Sequence, residues 1–149
     1  NTSSSKYILE NPSNYLFNNH VMKNDNPYLF IVEGNTDALV IDGISPLGSK
    51  LNDKQIRWIK NTGKIPVVIP DRDAAGIKLI DIAQKQNWHV SFPVIGNHYG
   101  DWWEDTIKDC DEAVRKYGKL YVLRSIIESM TNNPVEINIK KKKYTMGNN

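Results

Sequence analysis

Apolar residues in the middle of the chain alternate between short continuous runs and helical stripes. Residues 28–32 (YLFIV) form a continuous apolar run, the pattern of a strand buried on both faces. The run ends in Glu33-Gly34, and a short helix over 36–41 can follow it. Residues 44–47 read as a second short strand closed by Gly48. Residues 52–60 predict a helix: Asn52 can cap it, Gln55 holds the capping-box position, Ile56 and Ile59 give an apolar stripe, and Gly63 stops it. A buried strand over 65–69 (IPVVI) follows, bounded by Pro70. Residues 74–86 predict a helix with Ile77, Ile80 and Ala83 on one face. Residues 90–92 predict a further strand, and residues 97–103 a Gly-containing aromatic loop. Helices over 109–117 and 120–130 are separated by Gly118. Residues 135–139 (VEINI) alternate as an edge strand does, and Lys140–Lys143 follow as a basic run.

Strands alternating with helices predict an α/β fold, a mostly parallel central sheet with helices on both faces. Sites in such folds lie beyond the C-terminal ends of the strands. Length narrows the organisation: 149 residues suit one core. Residues 1–27 read as an arm that docks through Tyr7, Tyr15 and Phe17, residues 28–131 as the main α/β domain, and residues 132–149 as a C-terminal strand with a basic tail. The Ser/Asn-rich start without Met reads as a piece of a longer protein. No apolar stretch approaches the ~20 residues that span a bilayer, and no signal peptide is visible. A membrane or secreted protein is therefore not expected. One cysteine, Cys110, offers neither a disulfide nor zinc-ribbon spacing, which fits a reducing, cytoplasmic setting. A net charge of only +2 means that nucleic-acid contacts must come from local patches.

The acids fall where strands end. Glu33 follows the first strand, Asp71 and Asp73 follow the IPVVI strand, and Lys108-Asp109-Cys110-Asp111-Glu112 lies after the next. If the strands are neighbours, these groups converge. Clustered carboxylates suit a hard cation such as Mg²⁺, which takes oxygen ligands and stabilises charge in phosphoryl transfer. Asp71 and Asp73, two apart in an extended turn, can share a metal. Ala74-Ala75-Gly76 then opens a helix whose N-terminus favours nearby phosphate.

These residues carry a family resemblance. Ile31-Val32-Glu33-Gly34-Asn35-Thr36-Asp37-Ala38-Leu39 resembles the first Toprim motif of DNA primases, and Asp71-Arg72-Asp73-Ala74-Ala75-Gly76 resembles the second, D-x-D-x-A-G. The Lys108–Glu112 segment resembles the K-D-x-[DN]-[DE] stretch of the same enzymes, and Leu47-Gly48-Ser49-Lys50-Leu51 with Gln55 resembles their L-G-[ST]-x-L…Q stretch. Asn14-Tyr15-Leu16-Phe17-Asn18 resembles the segment leading into the domain.

The resemblance implies a Toprim, Rossmann-like fold of the kind in phage-type and bacterial primases. It implies Glu33 as general acid/base or metal ligand, and Asp71, Asp73 and Asp109 as Mg²⁺ ligands, with Mn²⁺ as a substitute. Asp37 and Asp111 would be supporting acids. The segment before Lys108 is longer than in bacterial primases, so Gly100-Asp101 gives a rival third acid; the flanks of Asp109 match better. Lys50, Arg72, Lys78 and Lys108 are candidates for triphosphate or backbone contacts. The implied activity is synthesis of short RNA primers, with single-stranded DNA, ribonucleoside triphosphates and a replicative helicase as partners. A Toprim nuclease of the RNA-maturation or overcoming-lysogenisation type shares the carboxylates. A non-catalytic module that binds DNA or a helicase shares the fold.

The remaining chemistry-bearing residues read as structural. Cys110 has core spacing with Ile107 and Val114 on a helix. His20, His89 and His98 show no ligand spacing. Tyr99, Trp102 and Trp103 read more as core anchors than as a base-stacking platform.

Overall fold

The computed structural model describes residues 12–46, 50–95 and 100–146. Gly48, Ser49, Tyr7, His98 and Tyr99 therefore lie outside the described residues. The strands are β1 (Leu16–Phe17), β2 (Tyr28–Ile31), β3 (Ser45–Pro46), β4 (Ile65–Val68), β5 (His89–Ser91) and β6 (Met130–Thr131). The α-helices are α1 (Asn35–Ile41), α2 (Asp53–Asn61), α3 (Ala74–Gln86), α4 (Cys110–Tyr117), α5 (Lys119–Ser129) and α6 (Pro134–Met146).

The central sheet has the order β2-β4-β5-β6. β2, β4 and β5 are parallel, and β6 closes one edge antiparallel to β5. Beside β2, Ile44 makes a parallel bridge to Ile31, and the chain then pairs antiparallel with β1 through Leu16↔Pro46. The strand expected over 44–47 is thus split between two partners, and its last residue lies outside the described set.

Strand side chains alternate between two cores. Leu29, Ile31, Val68 and Val90 face one cluster, which Ile59, Leu79, Ile80 and Ala83 complete from α2 and α3. Phe30, Val32, Val67 and Ile69 face the other, with Ala38 and Ile41 from α1, Ala113 from α4, and Val122 and Ile126 from α5. The sheet therefore carries helices on both faces, as the alternation of elements predicts. Cys110 is buried in the second cluster, in keeping with its spacing.

Local chemistry sets the boundaries. α2 begins with a full capping box, in which Asn52 and Gln55 exchange side-chain and backbone hydrogen bonds. Asp73 caps α3 and Asp109 caps α4, each accepting from the backbone N–H three residues on.

Two expectations are corrected. Residues 135–139 are not an edge strand but part of α6. Asn133 accepts from the N–H groups of Val135 and Glu136, and Pro134 fixes the first helical φ, so the chain enters a helix. The buried positions Ile137, Lys140 and Tyr144 then follow a helical period, which outweighs the short alternation. Nor is the lysine run a free tail: Lys140 pairs with Glu136 and Lys141 with Asp81 on α3. Among the described residues of the N-terminal segment, Leu16, Val21 and Met22 are buried apolar side chains, and Phe17 packs partly against the second core.

Candidate metal centre

Strand register brings the first two motifs together. Ile31 pairs with Val68, and the Ile69 N–H donates to the Ile31 carbonyl at 3.0 Å. β2 and β4 therefore end side by side, and the chain that leaves each carries Glu33 or Asp71 into one space. The Asp71 N–H donates to Glu33 Oε1 at 3.0 Å. Asp73 follows at the N-cap of α3. Oxygens of Glu33, Asp71 and Asp73 lie within 4.8 Å of one another.

Two glycines allow this approach. A Cβ at Gly76 would stand 2.0 Å from the Asp71 carbonyl oxygen, so only glycine lets α3 begin against the Asp71 loop. A Cβ at Gly34 would meet the Asp37 carboxylate at 2.8 Å.

The electrostatics follow from crowding. Burial, then the charges of Glu33, Asp37, Asp73 and Asp109, push the Asp71 carboxyl up to about 8. Glu33 is raised by burial and by Asp73 and Asp37, against the lowering effect of the Asp71 N–H. Asp37 is raised to about 6, first by burial and then by Asp109 and Asp111, although it accepts the Asp111 N–H at 2.8 Å. Carboxyls that resist ionisation together are the electrostatic complement of a divalent cation. The donors are all hard oxygens, which suits Mg²⁺ or Mn²⁺ better than zinc or copper.

An open cleft of about 660 Å³ borders this cluster, lined by Asp71 to Asp73 on one side and by Asp105, Thr106, Ile107, Lys108 and Asp109 on the other. Asp109 thus stands on a wall of the same cleft as Asp71 and Asp73. Asp101 lines a neighbouring pocket with Arg72, Asp105 and Lys143. Asp37 ties α1 to the start of α4 by accepting the Asp111 N–H. The Asp111 carboxylate bridges to Arg115 at 3.1 Å. Lys108 is exposed on the cleft wall, whereas Lys50 and Lys78 are exposed and do not line it.

Arg72 lines the same cleft as Asp71, Asp73 and Asp109. Its Nη1 donates to the Asp105 carbonyl at 2.8 Å, and its guanidinium lies 5.3 Å from the centre of the Tyr144 ring. The two tryptophans divide: Trp103 is buried and donates to Ser125 Oγ, while Trp102 packs edge-on against Tyr121. Sequence reasoning missed Asp105 and Tyr144. The signal for Tyr144 was its helical spacing from Ile137, masked by the lysines between them.

No family model matches the chain. A DNA primase of Halalkalibacterium halodurans is 27% identical over 140 residues, which cover 87% of this chain and 21% of the relative. The chain thus spans about a fifth of the length of that curated relative. Among solved structures, the E. coli primase catalytic core matches with a TM-score of 0.57 and 18% identity, over 79% of this chain and 40% of that one. At that identity the likeness is one of fold. Sequence and fold together make this chain similar to the Toprim domain of DNA primases, the resemblance that its own motifs carry.

Proposed function

We propose that the chain is the catalytic Toprim domain of a DNA primase, a nucleotidyltransferase that joins ribonucleotides into short primers on single-stranded DNA. The observation that carries the reading is the triad Glu33, Asp71 and Asp73, gathered within 4.8 Å at the ends of two neighbouring parallel strands. Asp71, Asp73 and Asp109 would hold Mg²⁺, with Mn²⁺ as a substitute. A bound divalent cation supplies charge neutralisation at the transferring phosphoryl group and lowers the cost of ionising the attacking hydroxyl.

The chain's own groups do the rest. Glu33, raised by burial and pinned by the Asp71 N–H, is suited to take the proton of the primer 3′-hydroxyl as that oxygen attacks the α-phosphate. Lys108, on the cleft wall, supplies positive charge toward the triphosphate. The cleft is open to solvent, as a site for a long template requires. In this reading the working protein includes the rest of a primase, acts with a replicative helicase and resides in the cytoplasm.

The test incubates the protein with single-stranded DNA, ribonucleoside triphosphates and Mg²⁺. Short RNA products that vanish in Glu33→Gln and Asp71→Asn support the primase. Shortened nucleic acid without synthesis transfers the site to a Toprim nuclease. Mn²⁺ binding that is indifferent to Asp71→Asn and Asp73→Asn would overturn both and leave a binding module.

A further inference from the structure

The C-terminal helix reaches the carboxylate cluster from behind. Tyr144, on α6, is 4% exposed and lies 74 residues along the chain from the group it binds. Its hydroxyl donates to the Pro70 carbonyl at 2.7 Å. That carbonyl and the Asp71 N–H belong to one peptide unit, which is planar and rotates as a block. The same unit donates, through the Asp71 N–H, to Glu33 Oε1 at 3.0 Å. One peptide plane is therefore held at both ends, by a phenol on one side and by a carboxylate of the cluster on the other.

Two further contacts fix the phenol. Its ring meets Phe92 edge to face at 5.4 Å between centroids, and the Arg72 guanidinium covers it at 5.3 Å. Arg72 in turn grips the Asp105 carbonyl on the opposite cleft wall. Burial raises the phenol far above its ordinary range, so it remains a donor at every working pH.

We infer that Tyr144 is a positioning residue for the metal centre: through the Pro70–Asp71 peptide it sets the orientation of both Asp71 and Glu33. The inference rests on the reading of Asp71 and Asp73 as metal ligands with Glu33 as the base beside them. A peptide whose carbonyl accepts a strong hydrogen bond is also a better N–H donor, so the Tyr144 hydroxyl strengthens the hold on Glu33. Without it, the 70–71 plane can tilt, and the two carboxylates lose their shared geometry.

The experiment compares Mn²⁺ affinity, read by electron paramagnetic resonance titration, in the wild-type chain and in Tyr144→Phe, Ile137→Val and Asp71→Asn. Tyr144→Phe keeps the ring contacts and removes only the hydroxyl. It should weaken Mn²⁺ binding about three- to tenfold, the range expected for one net hydrogen bond. It should also shift the metal-free amide resonance of Asp71 upfield. Ile137→Val loosens the same helix by a similar amount without touching Pro70, and should leave Mn²⁺ affinity unchanged. Tyr144→Phe binding Mn²⁺ as wild type does, or Ile137→Val losing as much affinity, would overturn the positioning role while leaving the metal centre intact. Equal binding by wild type and Asp71→Asn would overturn the metal reading itself, and this inference with it.

Discussion

Replacing Gly76 by alanine sets two effects of opposite sign against each other. Gly76 lies in the first turn of α3, where its N–H donates to Asp73 Oδ1 at 2.9 Å. Helix propensity alone favours alanine by about 1 kcal/mol. Against this, the new Cβ would stand 2.0 Å from the Asp71 carbonyl oxygen and 3.0 Å from its carbonyl carbon. Close carbon–oxygen contacts sit at about 3.3 Å, so loop and helix must part by roughly 1 Å. Overpacking of that kind costs about 1–3 kcal/mol, and a weakened Asp73 cap adds about 1 kcal/mol. The net effect is destabilisation of about 1–3 kcal/mol, a fall in Tm of roughly 2–12 °C at this chain length. Metal ligation tolerates only about 0.2 Å, so Mn²⁺ affinity should fall about tenfold or more. Circular-dichroism melts in a chelating buffer and a Mn²⁺ titration read the two effects separately. A Tm at or above wild type with unaltered Mn²⁺ affinity would refute the close approach of α3 to the Asp71 loop.

Other outcomes follow from the same geometry. The Asp71 carboxyl, at about 8 in the folded state, holds its proton more tightly than the ~3.9 of an unfolded chain. Its contribution to metal-free stability is thus full below about pH 4 and is lost as the pH rises through about 8. Asp71→Asn should therefore melt above wild type at pH 9 in a chelating buffer, with the gap closing toward pH 4; a gap independent of pH would refute this. Asp109→Asn, which keeps its capping oxygen, should weaken Mn²⁺ binding about three- to tenfold while Asp101→Asn leaves it unchanged. The reverse result assigns the third acid to Asp101. Gln55 is buried, accepts from the Asn52 N–H and donates to the Tyr15 carbonyl, so Gln55→Ala should cost about 1–3 kcal/mol in urea denaturation. A loss under about 0.5 kcal/mol would show that this tie to the N-terminal segment is weak.

Where the chemistry is local, the chain announces it. The Asn52–Gln55 box and the 74–86 helix depend on residues within one turn of each other, and both appear in the structure as read. The buried runs of β2 and β4 are legible because strands covered on both faces need apolar residues at every position. The short edge elements are less so. β6 is two residues long and exists through its pairing with β5, which no local pattern records. The 135–139 segment misled because five alternating residues fit a strand as well as a helix. The deciding terms were the Asn133 cap and a buried stripe that includes a lysine, whose apolar stem packs while its ammonium meets Glu136.

By itself, the sequence determined the alternation of the central strands and helices, the mostly parallel sense of the sheet and the acids that stand at its strand ends. These follow from periodicity, capping and the rule that sites gather beyond parallel strands. Only the tertiary structure decided which acids meet. The Ile31↔Val68 register carries Glu33 to Asp71, and tertiary packing puts Asp109 on the cleft with Asp71 and Asp73 and Asp101 in the pocket beside it. It also decided that Tyr144 stands behind the Pro70–Asp71 peptide. Contacts between residues 38 or 74 positions apart depend on register and packing, and these are properties of the assembled core that no window of sequence contains.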